Sequence, residues 1–259
     1  MSFNSNGVKI VATETYQDIT VKHENKVAQI KINRPDKFNA IRLQTYRELI
    51  AAFLEADASP ECHVIVLSGA GGQFSAGNDL ADLVSDDHTQ LMECVQEIFT
   101  TVANLKKVLL AVVDGVAVGI GTTILLHCDL VVASQGTKFR VPFANLGVGP
   151  EGASSVLLPH IIGQKKAREV LLTGRFFSAE EALEWGLINR LVKSEELAAV
   201  VEEYIVLLLQ QPLASLLATK VLMRSSLPDI ENIVTRELES FGSLLQTDET
   251  RKRLRSLIR

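Results

Sequence analysis

The sequence predicts an α/β domain followed by a wholly helical region, and three observations carry that expectation. Short apolar runs of strand length alternate with longer segments at helical spacing from Ile19 to Val192. Two glycine-rich turns each follow a strand, as βα connections do. Beyond Ser194 the period becomes helical only. The chain has 259 residues, 47% hydrophobic and 22% charged, which suffices for one large core with an appendage. The expected division is residues 1–193 for the α/β core and 194–259 for the helical C-terminal region.

Taken in order, Ile19 to His23 and Val27 to Ile32 alternate apolar and polar residues about Glu24-Asn25, which predicts an antiparallel hairpin ended by Arg34-Pro35. Leu43 to Ala58 carries Leu49, Ile50, Phe53 and Leu54 at helical spacing, and Val64 to Leu67 reads as a short buried strand. Ser68 to Asn78 is a Gly- and Ser-rich loop, with a polar segment at Ser85 to Thr89. A helix is expected over Leu91 to Leu105, a strand over Val108 to Val113, a second glycine turn over Gly115 to Gly121 and a short helix over Thr122 to His127. Strands follow at Leu130 to Ala133 and Lys138 to Val141. Pro150-Glu151 then suits a helix start, with the helix running to Ile162, because proline is favoured at a first helical position and acids in a first turn. The last helices are expected at Leu197 to Gln210, Ala214 to Met223, Ile230 to Leu245 and, basic in character, from Thr250.

Composition narrows the function. A formal net charge of -5 supplies no global field for nucleic acid. Cys62, Cys94 and Cys128 are widely spaced and suit free thiols in a reducing compartment, and the five histidines lack metal-ligand spacing, so no metal is expected. Met1 to Tyr16 lacks the apolar core of a signal peptide, no run reaches membrane-spanning length, and the Leu-Ile-Arg terminus does not match the peroxisomal address. A cytoplasmic enzyme is the expectation.

Chemistry concentrates in Val141 to Ser155, where Glu151 is the lone acid, and in the two glycine turns, Phe74 to Leu80 and Gly115 to Gly121. Backbone amides at such strand ends suit an oxygen that gains charge during reaction, since fixed N–H dipoles need not reorganise. Each stretch alone is also compatible with a tight turn or a plain helix start. A dinucleotide site is excluded because Ile124 stands where Gly119-Ile120-Gly121 requires a third small residue. His127 reads as a core or interface histidine and Asp129 as a structural partner at a strand start.

The ordered set Arg34-Pro35-x-Lys37-x-Asn39-Ala40, Phe74-Ser75-Ala76-Gly77-Asn78-Asp79-Leu80, Asp114-Gly115-x-Ala117-x-Gly119, Cys128-Asp129-Leu130, Leu146-Gly147, Leu172-Thr173-Gly174 and Ala182-x-x-x-Gly186-Leu187 resembles the crotonase superfamily, the enoyl-CoA hydratase/isomerase family. The resemblance implies a spiral of ββα units with a helical C-terminal trimerisation region, a homotrimer or dimer of trimers, and acyl-CoA thioester substrates, with CoA part of the substrate and no separate cofactor. It also implies that the amides of Asn78 and Ile120 form an oxyanion hole. Lys37, Asn39, Ala40, Ala76, Gly77, Asp79, Leu80, Gly119 and Phe143 fall in its substrate-binding segments. The two glutamates used by hydratases of this family are replaced by Thr123 and Phe143, whereas Glu151 in Pro-Glu-Gly is similar to the peroxisomal-type enoyl-CoA isomerases. That leaves one carboxylate for acid and base work, in an apolar pocket that raises its pKa and at a helix start that lowers it. Alternatives are hydration or thioester hydrolysis using Asp79, Asp82 or Glu93, and a non-catalytic acyl-CoA binder. An RNA-binding role is disfavoured by the acidic balance.

Overall fold

Continuous Val, Ile and Leu runs make the centre of the main sheet, because a strand covered on both faces has no polar side to present. The computed structural model describes residues 2–3, 9–10, 16–85, 87–226 and 228–257. Most of the Met1 to Tyr16 stretch read for a signal peptide, and Ile258 and Arg259 of the Leu-Ile-Arg terminus read for a peroxisomal address, lie outside them. The strands are β1 (Ser2–Phe3), β2 (Lys9–Ile10), β3 (Ile19–Glu24), β4 (Val27–Ile32), β5 (Val64–Gly69), β6 (Val108–Val113), β7 (Val116–Val118), β8 (Leu130–Ser134), β9 (Lys138–Arg140), β10 (Phe177–Ser178) and β11 (Arg190–Val192). Before Ser194 the helices are α1 (Leu43–Ala58), α2 (Leu80–Leu83), α3 (Thr89–Asn104), α4 (Ile120–Thr123), α5 (Phe143–Leu146), α6 (Ser154–Ile162), α7 (Gln164–Thr173) and α8 (Ala179–Glu184). After it come α9 (Leu197–Leu209), α10 (Leu213–Arg224), α11 (Ile230–Leu245) and α12 (Asp248–Leu257).

A six-stranded sheet runs in the order β11-β8-β6-β5-β4-β3, parallel except for the β3–β4 hairpin. Along β5, Ile65 and Leu67 join the larger core with α1 and α3, while Val64 and Val66 face Leu197, Val200 and Ile205 of α9. Period-two alternation thus feeds two cores from one strand. The hairpin turn sits one residue later than expected: Asn25 and Lys26, both at positive φ, are its central pair.

A second layer consists of β10-β9-β7, extended by loop segments that pair as single bridges, Ser75 with Ala117 and Ile41 with Asn78. Successive loops therefore lie side by side. Ile233, Val234, Leu238, Phe241, Leu245 and Leu254 from α11 and α12 are buried in the larger core, with α11 packed against α3 and α12 against α2 and α5.

Candidate active site

Two glycine turns converge through a parallel register. Ser75 N donates to Val116 O at 3.0 Å and Val118 N to Ser75 O at 2.9 Å. Beyond the Ser75–Ala117 bridge the turns stay together, with Gly77 against Val118 and Gly119, one residue before Asn78 and Ile120 respectively. Gly77 makes the close approach possible, and Gly119 supplies a turn at positive φ, +55°. A Cβ on Gly77, which has φ +93°, would stand 2.7 Å from Val118 O, and one on Gly119 3.8 Å from the Gly77 Cα. Among the described residues, the amides of Asn78 and Ile120 donate to no protein acceptor. Two N–H groups, one from each turn, are thus left without a protein acceptor.

Glu151 lies in the loop before α6 and is fully buried. Its Oε2 accepts a 3.4 Å hydrogen bond from Asn78 Nδ2, and its Oε1 has no partner among the described residues. The Asn78 side chain is itself oriented by the fully buried Tyr46 of α1, whose hydroxyl donates to Asn78 Oδ1 and so turns Nδ2 toward Glu151. Burial pushes the Glu151 carboxyl up to about 8, against the pull of the Asn78 hydrogen bond and with help from the Glu237 carboxylate. Burial, and then the charge of Glu151, hold the Tyr46 hydroxyl well above its ordinary value, which keeps it a neutral donor.

One expectation is corrected here. Glu151 does not start the helix: α6 begins at Ser154, no acid lies in its first turn, and Ala153 caps it with φ +58°. The stabilising acid comes instead from Glu237 of α11, whose Oε2 accepts from Ala153 N at 2.6 Å and whose Oε1 accepts from Ser155 N at 2.8 Å. With the helix-start contribution removed, burial decides the Glu151 pKa.

The remaining predicted residues divide into structural and open positions. Asn39 is fully buried and spent internally, its Nδ2 donating to Ala70 O and Gln73 O and its Oδ1 accepting from Arg34 N. Asp79 pairs with Arg34 at 3.1 Å and caps α2 through Ala81 N, and Leu80 opens that helix. Lys37 lies on an exposed 3-10 turn, Pro35–Lys37, leading to half-buried Ala40. Ala76 donates its amide to Phe38 O, and Phe143 is buried at the start of α5. Of the acids considered for hydration or hydrolysis, Asp82 accepts from Leu43 N and Glu93 faces solvent, so with Asp79 all three are engaged elsewhere or outside. Thr123 is buried with its hydroxyl on Gly119 O. His127 is neutral, burial pushing it down to about 4, and its Nε2 bonds Gly152 O at 2.8 Å. Asp129 takes the strand-start role expected of it, accepting from Leu109 N and pairing with Lys220.

Sequence reasoning missed the Asn78 side chain, Tyr46 and Glu237. The legible signal was a carboxylate on the apolar stripe Ile233, Val234, Glu237, Leu238 and Phe241 of α11.

Residues 22–258 match the model of a family described as enoyl-CoA hydratase/isomerase. The chain belongs to the enoyl-CoA hydratase/isomerase family. It is 37% identical over 177 residues to enoyl-CoA delta isomerase 2 of Rattus norvegicus, covering 66% of this chain and 45% of that protein. It is 33% identical over 192 residues to 4-chlorobenzoyl coenzyme A dehalogenase-2 of an Arthrobacter species, covering 71% of this chain and 70% of that one. The crystal structure of an enoyl-CoA hydratase from Mycobacterium avium subsp. paratuberculosis K-10 superposes with a TM-score of 0.87 at 27% identity, covering 93% of this chain and 96% of that one. The fold is the crotonase fold, and the chain is a crotonase-type acyl-CoA enzyme. Its relatives within that family carry out different reactions.

Proposed function

We propose that the protein is an enoyl-CoA isomerase that moves a C3–C4 double bond to C2–C3. The observation that carries this reading is the fully buried carboxylate of Glu151, held through Oε2 by Asn78, with Oε1 unpartnered among the described residues. Thr123 and Phe143 supply no second carboxylate. Addition of water across a double bond needs a base for the water and an acid for carbon. Isomerisation needs one group that takes a proton and returns it.

In this mechanism ionised Glu151 removes a C2 proton through Oε1, and the electrons pass into the thioester carbonyl. The Asn78 and Ile120 amides stabilise the enolate oxygen; each such donor contributes about 10²–10³ in rate. The enolate collapses with the double bond at C2–C3 while protonated Glu151 delivers its proton to C4. Proton and charge balance to zero. The raised pKa suits this cycle, because the conjugate acid is then a competent donor near neutral pH. The buried loop excludes water that would quench the intermediate.

Self-association accompanies the proposal. Val206 and Leu207 of α9 and Val221, Leu222 and Met223 of α10 are exposed apolar side chains, a face suited to a homotrimer or a dimer of trimers. The test of the activity is Glu151→Gln assayed with a 3-enoyl-CoA: turnover is expected to fall by about 10³-fold or more, with binding of the CoA thioester retained. Turnover near the parent rate would reject Glu151 as the base.

A further inference from the structure

The C-terminal helices grip the segment that carries Glu151 at four points. On α12, Arg253 donates to Asn145 O at 3.1 Å and Thr250 Oγ1 to Gly147 O at 2.7 Å. Ser240 of α11 packs against Gly149, leaving a built Cβ only 3.2 Å from its hydroxyl. Glu237, one turn earlier and 6% exposed, receives the amides of Ala153 and Ser155 and the Ser155 hydroxyl. Three of these contacts join backbone or small side chains. The fourth is a buried carboxylate, and it falls where the backbone is strained.

Gly152 and Ala153 are both at positive φ, +70° and +58°. For alanine that conformation is costly and persists only where its surroundings impose it. The surroundings are specific. Ala153 N is fixed by Glu237, Gly152 O by His127, and Glu151 O by the Ser154 hydroxyl at 2.6 Å. The Phe99 ring closes the remaining side, 2.5 Å from a Cβ built on Gly152. The left-handed pair turns the chain so that Glu151 enters the interior instead of joining the helix behind it.

We propose that Glu237 is a positioning residue for Glu151: its buried carboxylate, reaching in from α11, holds the strained Gly152-Ala153 turn and thereby fixes the side chain of Glu151 against Asn78. This rests on the isomerase reading for its kinetic consequence, but the clasp itself is independent of which reaction Glu151 performs. It also couples the helical C-terminal region to the chemistry. A displaced α11 would carry the general base with it.

Charge follows position. The titratable groups around the turn are Tyr46 from α1, His127 from the short 3-10 segment after α4, and Glu237 itself, which has Arg236 beside it in sequence. Glu237 raises the Glu151 pKa, so removing its charge lowers the pH at which Glu151 ionises.

The experiment compares the parent with Glu237→Gln, Glu237→Asp and Ser155→Ala, each checked for folding by circular dichroism. With a 3-enoyl-CoA, Glu237→Gln is expected to lower kcat about 10- to 100-fold with KM within about twofold, as a misplaced base does. Its alkaline-rising limb moves to lower pH. Glu237→Asp retains the charge and therefore the limb, yet loses reach and rate. Ser155→Ala loses one hydrogen bond and gives a smaller fall, which keeps the idea testable if Glu237→Gln does not fold. Parent-like kcat and limb in Glu237→Gln, or a parent-like kcat in Ser155→Ala when Glu237→Gln does not fold, overturns the positioning role. If the parent itself does not isomerise, the functional reading fails alone. Amide hydrogen exchange at Ala153 and Ser155 then decides the clasp: at least tenfold faster exchange in Glu237→Asp and Ser155→Ala supports it, and unchanged exchange overturns it.

Discussion

Glu151 carries an ionisation that folding disfavours. Its carboxyl ionises near 4.5 in a free chain and near 8 in the fold, because burial removes the water that would solvate the charge. Between those pH values the folded state holds a proton that the unfolded state has released, so this group makes stability fall as pH rises. Glu151→Gln abolishes that dependence. Thermal denaturation of parent and variant from pH 5 to 9 is expected to show the variant gaining on the parent as pH rises, by on the order of a few kcal/mol at the alkaline end. His127, depressed to about 4, acts in the opposite sense at lower pH, but it is common to both proteins and cancels in the difference. Activity has the other sign, since the base must be ionised. The value of kcat/KM is expected to rise through a limb near pH 8, read from a pH profile of isomerisation. Tyr46→Phe supplies a separate check at this scale. Without the Tyr46 hydroxyl the Asn78 amide is free to rotate, and a loss of about tenfold in kcat is expected, the size of one charge-assisted hydrogen bond.

At the scale of elements, the site is made by laying one strand–turn unit against the next. The register that pairs Ser75 with Ala117 lays Gly77 against Val118 and Gly119, and glycine at 77 is what lets the backbones touch. Gly77→Ala adds a Cβ 2.7 Å from Val118 O at a φ of +93°, so it is expected to destabilise the protein by about 1–3 kcal/mol in a chemical denaturation series and to lower turnover by separating the two amides. Much of this scaffold was legible in the sequence. The strands β3 to β6 and helices α1, α3, α9 and α11 announce themselves by period, because each has one buried stripe or two buried faces. Pro150-Glu151 misled because it satisfies a local rule for helix starts. The acid that meets the amides of Ala153 and Ser155 comes from Glu237, 84 residues beyond Ala153, and no local pattern reports so distant a partner. The same holds for the Asn78 side chain, whose two contacts come from α1 and from the Glu151 loop.

For the whole molecule, the proposed mechanism takes its amides from the α/β body and its positioning of the base from the C-terminal helices. Val27, Val64, Val66, Leu110 and Val132 close one face of the sheet under α9, and Ile65 and Leu67 on the opposite face join the core built with α1 and α3. The exposed apolar residues of α9 and α10 lie outside both cores. Sedimentation velocity is expected to give three or six chains per particle for the parent, and Leu222→Glu, placing a charge on a side chain 71% exposed in the single chain, is expected to shift it toward one.

The claim at the centre is that one carboxylate takes the proton and gives it back. A 3-enoyl-CoA dideuterated at C2, turned over once in ordinary water, follows that proton directly. If Glu151 acts alone in a buried loop, a substantial part of the transferred deuterium appears at C4 of the 2-enoyl product. Complete loss of that label to solvent, or a 3-hydroxyacyl product in place of the 2-enoyl one, would contradict the single-base account.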